Sequence, residues 1–183
     1  MSVSSRASDR LEALGLTVVQ LEPKTHADVR RVLGTVSDLL GVPRAQGADR
    51  LWRVIDAGVL AAAQSLPPKA KNARVYFEVS RGPYAAGEAS FIGESLTRLG
   101  VRNVVPASLG PFPRLNPEFV VRANPDLIMM GNRSMQNMVP YPGWDTIKAV
   151  REQRLCVYGP DDSDTVVRPG PRMAEAARLM AQC

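Results

Sequence analysis

The sequence predicts an α/β fold: a three-layer α/β/α lobe with a mostly parallel sheet, preceded by a long helix. Two observations carry that prediction. From residue 73 to the end, strand-like and helix-like stretches alternate four times, the order that parallel sheets with crossover helices require. At 45% hydrophobic and 22% charged residues, a chain of 183 has the composition and length to bury a core without metal or disulfide staples.

The N-terminal part is read as helix, strand, helix. Residues 9–14 (DRLEAL) end a helix at Gly15, and LTVVQL at 16–21 has the β-branched content of a short strand. THADVRRVLGTVSDLLG then begins with Thr25 as N-cap, lines up Val29, Val32, Leu33, Val36, Leu39 and Leu40 on one face, and stops at Gly41. The longest helix spans 46–66, with Leu51, Ile55, Val59 and Ala62 along one stripe and Pro67 and Pro68 as its end. Trp52 and Val54 lie off that stripe; Trp52 is read as core.

After this helix the alternation sets in. Strands are expected at 73–79, 102–105, 126–130 and 155–158, with helices at 89–99, 117–123, 144–152 and 170–182. In an open sheet of this kind, ligands bind beyond the carboxyl ends of the strands, where loops lead into helix N-termini.

Several classes of function are short of parts. The net charge of +5 is not gathered into a basic run interleaved with aromatics or glycines, so nucleic-acid binding has no footprint. The single histidine, His26, leaves no His-based triad or multi-His metal site and is expected on the surface of a helix's first turn. Cys156, in an apolar run, and Cys183, the last residue, suggest neither a disulfide framework nor metal-ligand spacing. No phosphate loop, nucleophile elbow, dinucleotide fingerprint or HExxH is present. The acids Asp161, Asp162 and Asp164 do not make a calcium loop, since Val166 and Arg172 stand where glycine and glutamate are needed. MSVSSRASDRLEALGL has no apolar h-region, and no apolar run approaches a membrane span.

What remains is loop aromatics in a chain only 5% aromatic. Tyr84 stands in GPYAAGEAS between flexible residues, after the first strand of the alternating part; it either faces the ligand crevice or folds back onto the sheet end. Phe112 sits between Pro111 and Pro113, whose fixed φ angles restrain it from collapsing inward. Asn116, Pro117 and Glu118 form a helix start, with Glu118 beside the positive end of the dipole.

Four segments in order, VYFEVSRGPYAAGEASFIGESLTRLG, FPRLNPEFVVRANPDLIMM, PGWDTIKAVREQRLCVYGPDD and RPGPRMAEAARLM, resemble the C-terminal lobe of the ABC-importer substrate-binding proteins for cobalamin, haem and iron siderophores, the cobalamin-binding members most. The resemblance implies a non-enzymatic periplasmic protein without a cofactor, and a metal chelate, cobalamin foremost, as cargo. It divides the chain into 1–43, a remnant of the first lobe; 44–68, the interlobe backbone helix; and 69–183, the substrate-binding lobe, so that most of the first lobe would be missing. It implies that Tyr84, Phe112, Asp164 and Arg168 reach the cleft, joined by Trp144 unless that ring packs into the lobe, and that Glu118 docks on arginines of the membrane permease, which works with its ATPase. Two other readings stay open: an α/β enzyme domain of related architecture, and a fragment that only binds partners.

Overall fold

The computed structural model describes residues 3–80, 82–131 and 141–183. Its central strand is β1 (Arg74–Ser80). Successive side chains of a strand point to opposite faces, and here both faces are covered: Val75 and Phe77 on one side and Tyr76 on the other are fully buried. β4 (Leu127–Gly131) pairs parallel to it in the register Val75↔Leu127 to Glu78↔Met130. β5 (Leu155–Tyr158) continues the parallel set beyond β4.

The other side of β1 is shared by two short strands. β3 (Arg102–Asn103) runs parallel to its first half, and β2 (Tyr84–Ala85) folds back antiparallel on its end. The order is therefore β2-β1-β4-β5, with β3 beside β1. Only β2 departs from the parallel arrangement.

Two helical layers cover the sheet. On the Phe77 face lie α4 (Phe91–Leu99), with Ile92 and Leu96 buried, and α8 (Met173–Ala181), with Met173, Ala177 and Met180. The long helix α3 (Ala48–Ser65) packs in the same cluster through Ile55, Val59 and Ala62, the stripe read from the sequence. A Cβ on Gly58 would come within 2.5 Å of Ala174 Cβ, so α3 and α8 approach as closely as their backbones permit. On the opposite face α5 (Pro117–Ala123) and α6 (Lys148–Arg151) cover Tyr76, Ile128 and Met130 through Val120, Ile147 and Ala149. Burying each large aliphatic chain of this kind contributes about 1.5–3 kcal/mol.

Several expectations are corrected. Residues 16–21 pair with nothing as a strand; Leu16 and Val19 are exposed, and no neighbouring strand is there to complete a ladder. The segment lies between α1 (Val3–Ala13) and α2 (His26–Leu39). On α2, Val29 and Leu33 reach the core but Val36, Leu39 and Leu40 face solvent. The helix expected over 144–152 breaks into a 3-10 turn, Trp144–Thr146, and the short α6. Residues 160–167 form a helix, α7 (Pro160–Val167), where no helix was predicted; Pro160 opens its first turn, and Asp161 and Asp162 sit against the positive end of its dipole. No described helix is long and apolar enough to cross a membrane.

The cysteines are a further correction. Cys156 on β5 and Cys183 after α8 are joined in a disulfide, Cα atoms 5.6 Å apart and 27 residues apart in sequence. Spacing could not reveal it, because the contact exists only once α8 returns across the edge of the sheet. Closing a loop of that length is worth on the order of 3 kcal/mol in the chain-entropy account.

His26 is not a surface residue but 8% exposed, and it ties α2 to α4. Its backbone N–H donates to the Glu94 carboxylate, and its Nε2 lies 3.0 Å from the Phe91 carbonyl and 2.9 Å from Ser95 Oγ. Trp52 meets the imidazole edge-on at 6.2 Å. Burial lowers the imidazole pKa below 6.5, against the opposing pull of Glu94. A depressed histidine pKa means that the unfolded chain takes up a proton which the folded ring refuses. Its stabilising contribution is complete above 6.5 and declines as pH falls through that value toward the folded pKa. Asp28, held down to about 2 chiefly by the Lys24 N–H just ahead of the Thr25 N-cap, acts in a separate, more acid window. Urea midpoints should therefore drop between about pH 7.5 and about pH 5.5, and His26→Gln should flatten that slope. An unchanged slope in His26→Gln contradicts the assignment.

Candidate functional site

At the carboxyl end of β1 the chain turns through Gly82, whose φ of 125° is closed to most side chains, and Pro83 before β2 begins. The second aromatic loop reaches the same place after β3, through the 3-10 turn Ala107–Leu109 and Gly110 at φ 87°. The two loops are joined backbone to backbone. Ala85 N–H donates to the Pro113 carbonyl (3.0 Å), Gly87 N–H to that of Pro111 (2.9 Å) and Leu115 N–H to that of Pro83 (3.0 Å). Prolines, which have no N–H, here supply the carbonyls. Tyr84 and Arg114 bridge as antiparallel partners, and Arg114 Nε donates to the Gly82 carbonyl at 2.8 Å.

This pairing brings Tyr84 and Phe112 to one rim. Tyr84 is 40% exposed, its ring lying over Gly82 rather than in the core. Phe112 is half-buried and rests on Phe91, the first residue of α4, with ring centres 5.9 Å apart. Each aromatic thus has support from one side while part of its surface meets solvent.

A third aromatic joins them. The Tyr141 hydroxyl accepts from Gly82 N–H at 3.2 Å, and its ring stands 4.7 Å from that of Trp144. Trp144 itself is only 3% exposed and meets Tyr76 edge-on at 6.0 Å. Its expected role in touching a ligand gives way to the packing alternative: it is a prop beneath Tyr141. Burial, reinforced by the nearby Glu78 carboxylate, raises the Tyr76 pKa, so the buried phenol keeps its proton.

Asp164 lies in α7 and Arg168 just after it. They form an i,i+4 ion pair at 3.0 Å with both side chains reaching solvent. Such a pair is worth little in stability. Among the described residues, no hydrogen bond or ion pair links them to the aromatic rim. Glu118 is exposed in the first turn of α5, its N–H capped by Asn116 Oδ1 at 3.0 Å, the local structure read from NPE.

The rim carries the aromatic side chains of Tyr84, Phe112 and Tyr141. It offers aromatic faces and proline rings, and no group of three His, Cys, Asp or Glu able to hold a metal occurs among the described residues. Sequence reasoning missed Tyr141 and Arg114. The signal for Tyr141 was its place ahead of Pro142 and Gly143 in YPGW, while Arg114 has none beyond adjacency to Pro113, because its partner is a distant backbone carbonyl.

The fold has counterparts among known proteins. The profile of the family described as periplasmic binding protein matches residues 3–161. Among solved structures, a possible iron-binding (periplasmic solute-binding) protein of Staphylococcus epidermidis superposes with a TM-score of 0.76 at 23% identity, over 98% of this chain and 70% of that one. The periplasmic heme-binding protein BhuT, solved with two hemes, gives 0.72 at 20% identity, over 100% and 70%. The periplasmic vitamin B12 binding protein BtuF of Vibrio cholerae gives 0.67 at 20%, over 97% and 71%. Among curated proteins none matches.

The loop pairing makes a direct prediction at Gly87. A Cβ there would lie 2.4 Å from the Gly110 carbonyl oxygen, a backbone atom that cannot swing aside. Gly87→Ala should force the loops apart, cost about 1–3 kcal/mol by urea denaturation, and speed amide exchange at Ala85 and Leu115 on the joining bonds. Unaltered exchange at those amides would show that the pairing does not hold the rim.

Proposed function

The chain belongs to the periplasmic binding protein family, and from that premise we propose that it captures a metal chelate, a corrinoid by preference with haem or an iron siderophore as the related cargoes, for an ABC importer. Proteins of this family bind and deliver; they are not enzymes. The observation that carries the proposal is the pairing of the two aromatic loops at the carboxyl end of the sheet. The BhuT and BtuF neighbours are described as binding heme and vitamin B12, large and largely flat tetrapyrrole-type ligands. Rings held half-exposed on a rigid backbone match that chemistry, since stacking needs area and little side-chain entropy.

In this reading Tyr84, Phe112 and Tyr141 edge the cargo, Trp144 holds Tyr141 from below, and Asp164 and Arg168 approach polar groups at the cargo's periphery. The protein works outside the cytoplasmic membrane, in the periplasm or its equivalent; the Cys156–Cys183 disulfide suits an oxidising compartment. The lobe from residue 69 onward forms one wall of the cleft, and a first lobe forms the other. In the two-lobed protein, visible-absorbance titration should detect cyanocobalamin or haem binding, weakened by roughly 1–3 kcal/mol in Tyr84→Ala and in Phe112→Ala. Unchanged affinity in both variants would remove these loops from the cleft.

Glu118 serves as the contact to the permease. An exposed carboxylate at a helix start meets a partner's arginine without a large desolvation cost. Glu118→Arg should leave cargo affinity intact and cost at most about 1 kcal/mol of stability through the helix dipole, while transport into vesicles by the assembled importer falls sharply. Normal transport by that variant would reduce Glu118 to a helix-start residue.

A further inference from the structure

α2 and α4 meet at their first turns, and each caps the other. The first amides of a helix find no partner inside it. Phe91, the first residue of α4, gives its N–H to the Lys24 carbonyl at 2.6 Å, just ahead of α2. His26, the first residue of α2, gives its N–H to the Glu94 carboxylate in the first turn of α4. That charge serves the positive ends of two helix dipoles at once. The imidazole adds a third tie. Ser95 Oγ donates to the Phe91 carbonyl at 2.8 Å and lies 2.9 Å from His26 Nε2, which itself lies 3.0 Å from that carbonyl. With the serine hydrogen already committed to the carbonyl, Nε2 carries a hydrogen and donates as well. Residues 24–26 thus hold both main-chain polar groups of Phe91.

Phe91 is at the same time the support of Phe112, the ring centres 5.9 Å apart. The turn that begins with it is pressed against the paired loops. A Cβ on Gly93 would lie 2.1 Å from the Gly87 carbonyl oxygen, Ser90 Oγ donates to that same carbonyl at 2.7 Å, and the Gly87 N–H makes one of the bonds that join the loops. The first turn of α4 therefore touches the start of α2 on one side and the rim on the other. Tyr84, whose ring lies over Gly82, is off this path.

We propose that His26 and Glu94 are positioning residues for the cargo: their reciprocal cap sets the first turn of α4, and Phe91 passes that setting to the Phe112 ring at the rim. The proposal rests on the reading of the rim as the face that meets the cargo. Both residues act through Phe91 rather than on the cargo itself. Loss of the imidazole takes a donor from the Phe91 carbonyl and an edge contact from Trp52, so the turn settles differently and Phe112 moves with it.

Two measurements test it. In the ligand-free chain, His26→Ala should shift the backbone amides of Phe91 and Phe112 while those of β5 stay in place, and His26→Gln, whose amide N–H stands in for that of Nε2, should return them toward their wild-type positions. An unmoved Phe112 amide overturns the proposal, as does a glutamine variant displaced as far as the alanine one. Glu94→Ala puts the same question to the other half of the cap and decides the matter if His26→Ala fails to fold. In the two-lobed protein, visible-absorbance titration with cyanocobalamin or haem should show His26→Ala weakening binding about fivefold, a loss that persists in a Tyr84→Ala background and vanishes in Phe112→Ala. Equal losses in both backgrounds overturn the relay through Phe91. Should the wild type bind neither chelate, the cargo reading itself falls, and the ligand-free shifts still decide whether the cap sets Phe112.

Discussion

The double burial of β1 is the constraint on which the rest of the structure depends. With Val75 and Phe77 sealed against one helical layer and Tyr76 against the other, the strand has no freedom of register, since a slip of one residue would exchange its faces. Its backbone then dictates everything lateral: β4 on one side, β3 and β2 sharing the other. Because β2 folds back on the last residues of β1, the Tyr84 loop is anchored to the strand that is buried on both faces. The Phe112 loop is anchored in turn to the Tyr84 loop. A site built this way owes its geometry to main-chain bonds rather than to side-chain chance.

The same main-chain bonds set where the loop aromatics stand. The prolines at 111 and 113 and the glycines at 82 and 110 fix the path of the loops, leaving the aromatic rings as the variable part. Charged groups stand at the periphery. The polar atoms closest to the rim, the Tyr141 hydroxyl and the Arg114 guanidinium, are occupied with Gly82. Membership of the periplasmic binding protein family and superposition with solved structures of the same architecture agree with this fold.

The three-layer architecture was legible because periodicity and alternation are local properties: the α3 stripe, the helix caps at Thr25 and Asn116, and the strands of residues 74–80, 127–131 and 155–158 all follow from short windows. What failed was long-range. Residues 16–21 have strand composition but no partner strand, and the outer apolar residues of α2 have the right spacing but no surface to meet. His26 became a core residue because α4 brought Phe91 and Ser95 to it, and Cys156 found Cys183 because α8 returned over β5. At the site, the two aromatic loops were legible from their Pro and Gly frames, whereas Trp144 gave no sign of which side of Tyr141 it would occupy.

The central claim is that the paired loops form the ligand-facing surface of the lobe. The most direct measurement is a map of this lobe's backbone amide chemical shifts in the two-lobed protein as cyanocobalamin or haem is added to saturation. The account predicts shifts concentrated at Tyr84, Ala86, Gly110 and Phe112, spreading to Tyr141 and fading across β4. Shifts that gather along β5, or spare both aromatic loops, would contradict it.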